Sequence, residues 1–195
     1  MGRDTRRAGR ATAPVAPPRS FTVVHRRLLG GEHPCPGGDS WAHGARLAAL
    51  LAAGATTFVD LTERDRENVV SPYDRRLRGV VRDGLSVAYV NVPIPAVQVP
   101  RSRAQVEQVL DVIDAALANG ETVYLHCKSG VGRTGTLLAL HLVRHGYAPR
   151  EALRLVQAAW RRDVRSTMWA RCPQTERQWG YILETSAECA LFERP

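Results

Sequence analysis

One stretch of the chain carries residues that could do chemistry together: His126-Cys127-Lys128-Ser129-Gly130-Val131-Gly132-Arg133-Thr134-Gly135. Cys127 is a potential nucleophile but a weak one when protonated; a free thiol has a pKa near ~8.5, and a helix N-terminus with nearby cations can lower it to roughly 3.5–7.5. Gly130 and Gly132 allow the backbone to curl so that successive N–H groups point into one concavity, a nest for an anion. Arg133 offers a planar fork that matches two phosphate oxygens. Lys128 (the only lysine in the chain) adds charge beside it, and the amides of residues 128–133 (Lys128, Ser129, Gly130, Val131, Gly132, Arg133) would hold the bound group. An activated sulfur set against a cradled tetrahedral dianion suits attack on phosphorus with a phosphocysteine intermediate. Thr134 can hydrogen-bond the thiolate, and His126 can orient Cys127 from the preceding position. The Gly-Lys-Ser/Thr run of a nucleotide-binding loop is absent, since Lys128 stands in the wrong place for it.

The flanking sequence positions this stretch. Thr122-Val123-Tyr124-Leu125 is a short apolar run, which reads as a buried strand. Thr136 to His145 reads as a buried helix ending at Gly146. The stretch is therefore a strand–loop–helix corner with the helix dipole aimed at the loop. Upstream, residues 21–29 read as one or two short strands, and residues 30–38 as a loop because of their glycines and prolines. Asp39 or Ser40 caps a helix stopped by Gly54. Residues 56–61 and 87–92 are strands, residues 62–73 a polar loop with a helical turn, and residues 93–100 an extended proline-bounded loop. Ser102 and Gln105 form a capping box for a helix ending at Gly120. Pro149 and Pro173 each start a further helix, separated by a loop with Arg161, Arg162 and Arg165. Strands alternating with helices, then consecutive helices, predict an α/β fold: one domain over residues 20–195 with a central mixed sheet flanked by helices.

The pattern H-C-x5-R-[ST] resembles the signature loop of the protein tyrosine phosphatase superfamily, in its compact dual-specificity-like branch. Phe58-Val59-Asp60-Leu61-Thr62-Glu63, Pro93-Ile94-Pro95 through Val99-Pro100, and Pro173-Gln174-Thr175 through Gln178 resemble further segments of that branch. Read without the resemblance, Asp60 and Glu63 cap a turn and Gln178 is a solvent-facing helix residue. The resemblance implies a cysteine phosphatase acting on phosphotyrosine, phosphoserine or phosphothreonine in proteins, with no metal and no cofactor. It also implies an aspartate after Pro-Ile-Pro that protonates the leaving oxygen; Ala96 occupies that position. Loss of a general acid costs about 10²–10⁴-fold. The proton then comes from another carboxyl, Asp65 being the first candidate, or the substrates have good leaving groups, or the chain is a weak or inactive phospho-binding module. Lys128 after the cysteine also occurs in phosphoinositide-type members, whose second lysine is replaced here by Val131.

The rest of the composition is bland. The net charge is +8, half of it within residues 1–19, an Arg/Pro-rich tail that reads as disordered. No aromatic platform accompanies the tail, so a nucleic-acid partner is not expected. No apolar run approaches the ~20 residues of a membrane span, and no signal peptide follows the basic start. Cys35, Cys127, Cys172 and Cys189 show no pairing pattern, which predicts a reducing, cytoplasmic setting. His33 and Cys35 have no second ligand pair at metal-binding spacing.

Overall fold

The computed structural model describes residues 19–23, 26–37, 40–63, 73–81 and 84–187. The arginine-rich tail, Asp65 and Cys189 lie outside the described residues. Five strands, β1 (Ser20–Thr22), β2 (Leu28–Glu32), β3 (Ala55–Asp60), β4 (Ala88–Asn91) and β5 (Thr122–Cys127), form one mixed sheet in the order β1-β2-β5-β3-β4. Only β1 runs antiparallel to its neighbour. The helices are α1 (Ser40–Ala52), α2 (Asp74–Val80), α3 (Arg103–Ala118), α4 (Gly132–Arg144), α5 (Pro149–Trp160) and α6 (Glu176–Ala187). None of them is long and apolar enough to cross a membrane among the described residues.

Alternation along the central strands assigns the two faces. Val123 and Leu125 of β5 join Val59, Leu61 and the apolar residues of α3, α4 and α5 in one core. Tyr124, with Phe58 and Leu29, joins Leu47 and Leu50 of α1 and Leu77 of α2 in a second core on the opposite face. α4 is buried on every side from Gly132 to Val143, as its apolar composition requires. The Ser102 hydroxyl accepts from the Gln105 N–H at 3.2 Å, while Gln105 Oε1 accepts from the Arg101 N–H at 2.7 Å, so the cap forms one residue wider than the standard reciprocal pair.

Three sequence expectations change. Gly30, Gly31 and Glu32 belong to β2, not to a loop. A Cβ on Gly31 would sit 2.2 Å from the Tyr124 hydroxyl, so this glycine marks a close approach inside a strand, not a chain break. α2 was not foreseen; its single buried anchor, Leu77, leaves no periodic stripe to read. α6 starts at Glu176, not at Pro173, because the 173–175 segment wraps the side chain of Gln178 instead of opening the helix.

Candidate active site

Cys127 ends β5 and the helix α4 begins at Gly132, so only residues 128–131 form the turn between them. The two glycines of that turn serve different purposes. Gly130 has φ +73° and lies against the Gly31 carbonyl, where a Cβ would come within 2.3 Å. Gly132 keeps an ordinary helical start, and its missing side chain leaves room for the Gln178 amide, 2.8 Å from where a Cβ would be.

Cys127 is 2% exposed. Burial alone would push its pKa up; the Arg133 charge and hydrogen bonds from the Thr134 hydroxyl, the Thr134 N–H and the Gly130 N–H overcome that and hold the pKa below the ordinary thiol value. The buried Thr134 hydroxyl has no nitrogen or oxygen partner, which leaves it to the sulfur. Arg133 is itself buried, and its Nη1 donates to the carbonyls of Leu61 (3.1 Å) and Ile94 (2.8 Å). One nitrogen thus fixes the guanidinium to the end of β3 and to the proline loop. Lys128 is exposed at the turn, and its carbonyl accepts from the His33 N–H at 3.1 Å.

Two side chains not singled out for the site from sequence brace the loop from outside. Arg165 is 3% exposed, clasps Asp163 through Nε (2.8 Å) and Nη2 (2.6 Å), and donates from Nη1 to the Ser129 carbonyl at 2.9 Å. Its guanidinium also lies over the Trp160 ring. Gln178 is fully buried, not solvent-facing; its Oε1 accepts from the Gln174 and Thr175 N–H groups, and its Nε2 donates to the Gln98 carbonyl at 3.1 Å. It therefore links α6 to the proline loop across Gly132. Arg165 was legible only as one of several arginines in a loop.

His126 is fully buried on the face opposite Cys127, among His33, Asp60, Tyr73 and Tyr124. Its Nε2 lies 2.6 Å from the Tyr73 hydroxyl, and its Nδ1 lies 3.4 Å from the Cys127 carbonyl and 3.8 Å from Asp60. Asp60 accepts from the Thr62 N–H and hydroxyl, an Asx turn as expected, and from Tyr89 at 2.6 Å. Burial disfavours the Asp60 charge, but nearby His126 and these donors hold its pKa below the ordinary carboxyl value. Burial pushes the His126 pKa below the ordinary imidazole value, against the opposing pull of Asp60. His33, Asp60 and His126 lie close enough for a metal ion to bridge. Their hydrogen bonds do not suit one. His33 Nδ1 accepts the Cys35 N–H, so Nε2 bears the ring proton; His126 Nδ1 faces two acceptors, so it bears the proton of that ring. The backbone at Cys35 and Cys127 thus fixes both protons, and neither imidazole turns a lone pair toward Asp60.

At the expected general-acid position, the Ala96 N–H donates to the Glu63 carboxylate at 3.0 Å. A carboxyl therefore reaches the proline loop, carried by the segment that follows β3.

Residues 38–147, more than half of the chain, match the family model described as a polymorphic toxin system DSP-PTPase phosphatase. A putative tyrosine phosphatase of Invertebrate iridescent virus 3 is 30% identical over 78% of this chain; the match spans 58% of the viral protein's length. The mouse phosphatidylglycerophosphatase and protein-tyrosine phosphatase 1 is 27% identical over 76% of this chain and 80% of its own. A crystal structure of kinase associated phosphatase carrying a serine in place of its catalytic cysteine superposes with a TM-score of 0.69, at 16% identity, over 88% of this chain and 94% of that one, which establishes the common fold. By the family match, the chain belongs to the DSP-PTPase phosphatases.

Proposed function

We propose that the chain hydrolyses phosphomonoesters through a phosphocysteine, acting on phosphorylated tyrosine, serine or threonine side chains of proteins. The observation that carries this reading is the buried Cys127 thiol held toward its ionised form by Arg133, Thr134 and the Gly130 amide. The Cys127 sulfur attacks phosphorus while the bond to the leaving oxygen breaks. The amides of residues 128–133 and the free edge of Arg133 hold the equatorial oxygens, and Lys128 adds charge at the rim. The leaving oxygen takes a proton from the Glu63 carboxyl beside Ala96. The resulting carboxylate then accepts a proton from the water that attacks the phosphocysteine, and the Thr134 hydroxyl stabilises the departing thiolate. His126 acts as a positioning residue through the Cys127 backbone. Free thiols at Cys35, Cys127 and Cys172 are consistent with a reducing, cytoplasmic setting.

The test is hydrolysis of a small aryl phosphate between about pH 5 and 8, with Cys127→Ser as control. Turnover is expected, and it disappears in the variant while vanadate still binds. Turnover that survives in Cys127→Ser would exclude the phosphocysteine route. Ala96 favours one other reading, a phospho-binding module; vanadate binding without any turnover would establish it. The name of the mouse relative brings in lipid phosphates as a second substrate class, distinguished by comparing phosphopeptides with phosphoinositide vesicles.

A further inference from the structure

Away from the phosphate loop, near the C-terminal ends of α3 and α4, three ligand-bearing side chains converge. His141 and His145 lie one turn apart on the same face of α4 and its end. Asp114 faces them from α3. The Asp114 Oδ1 atom is 2.9 Å from His145 Nε2 and 3.4 Å from His141 Nδ1, and the two imidazole rings are 4.5 Å apart between centroids. Nitrogen and oxygen ligands sit ~2.0–2.2 Å from a zinc-class ion, so adjacent ligand atoms around one ion are separated by roughly 2.8–3.6 Å. Both separations from Asp114 fall in that range. The second carboxylate oxygen is engaged by Arg144 Nε at 3.2 Å, and Arg144 is in turn held by Asp111 at 2.5 Å. That outer pairing fixes the Asp114 orientation, as carboxylate ligands require, and Asp111 offsets the nearby positive charge. Accessibility grades from the buried His141 through Asp114 to the exposed His145, which leaves one side open for entry and for water ligands.

We propose that Asp114, His141 and His145 form a three-ligand site for a divalent transition metal that staples α3 to α4. Two imidazoles with a single carboxylate select a zinc-class ion over Mg²⁺ or Ca²⁺, which prefer all-oxygen sets. The site is independent of the phosphate chemistry, because its residues lie at the far end of α4 from Cys127.

The experiment uses the full chain without a purification tag, carrying Cys127→Ser to remove the competing thiolate. Co²⁺ is titrated spectroscopically, and thermal midpoints are recorded with and without Zn²⁺. Saturable binding at one ion per chain is expected, with nitrogen and oxygen ligand bands, no thiolate charge-transfer band, and a midpoint raised by a few degrees. His145→Ala, at an exposed position, and Asp114→Asn are each expected to weaken binding by about tenfold or more. Absence of saturable binding, a thiolate band, or an affinity unchanged in His145→Ala would overturn the proposal.

Discussion

Cys127 and Glu63 set opposite demands on the same small volume. The thiol must lose its proton, and Arg133, Thr134 and the Gly130 amide favour that loss against burial. The leaving group must gain one, and Ala96 cannot supply it. Both Glu63 and Ala96 stand two residues beyond a carbonyl gripped by Arg133, at Leu61 and Ile94. The arginine proposed to hold the phosphoryl group therefore also fixes the two segments that carry Glu63 and Ala96. From this we predict that Glu63→Gln, which keeps an acceptor for the Ala96 N–H, slows hydrolysis of poor alkyl leaving groups by about 10²-fold. Good aryl leaving groups should slow by far less, since their oxygens need no protonation. Equal slowing of both would show that Glu63 acts only as a hydrogen-bond anchor. A gain from Ala96→Asp with no loss from Glu63→Gln would place the acid position at 96 and leave it vacant in this chain.

At the scale of elements, the phosphate loop is shaped less by its own sequence than by the helices behind it. The 3-10 turn Val164–Thr167 brings Arg165 onto the Ser129 carbonyl, and α6 brings Gln178 against Gly132. Arg165→Ala should destabilise the fold by about 3 kcal/mol, because it strands the Asp163 carboxylate in a buried site. The paired change Arg165→Met with Asp163→Asn removes that stranded charge and should recover much of the loss. Vanadate affinity should nevertheless stay about tenfold weak, since the Ser129 carbonyl is no longer held. Thermal midpoints and vanadate titration separate the two effects; full recovery of affinity in the pair would deny Arg165 a role in shaping the loop. The same elements show what the sequence could reveal. The strand, loop and helix around Cys127 were legible because each local signal, apolar run, glycines and helix stop, agreed with its neighbours. The Ser102 cap was legible for the same reason. Gly31 misled because a strand glycine that admits Tyr124 looks like a chain break when the aromatic contact is far away in sequence. Arg165, Gln178 and Tyr73 act through partners many positions distant, at Ser129, Gln98 and His126, and no local pattern announces such pairings.

At the scale of the whole molecule, the second core ends in a polar cluster that ties the sheet together beneath the loop. His33 follows β2, Asp60 ends β3, Tyr89 lies in β4, His126 in β5, and Tyr73 precedes α2. Burial, then the proximity of His126, lowers the His33 pKa from 6.5 to about 3, against the opposing pull of the Asp60 carboxylate. The folded state therefore keeps His33 neutral, while the unfolded chain takes up a proton once the pH drops below about 6.5. Stability from this group is complete above that value and is lost as pH falls toward 3, at up to ~1.4 kcal/mol per pH unit. Between pH 7 and 4.5 the loss is on the order of 2–3 kcal/mol, a sizeable part of a domain's usual 5–15 kcal/mol. The depressed pKa values of Asp60 and His126 act in the same direction, since each group binds protons more readily when unfolded. Urea unfolding at pH 7 and 4.5 should show this acid sensitivity in the native chain and a shallower dependence in His33→Gln, which does not titrate. Because the comparison is between slopes, any constant cost of the substitution cancels. Parallel slopes for the two proteins would place the acid sensitivity outside His33 and remove the cluster's histidine as the group that limits the fold at low pH.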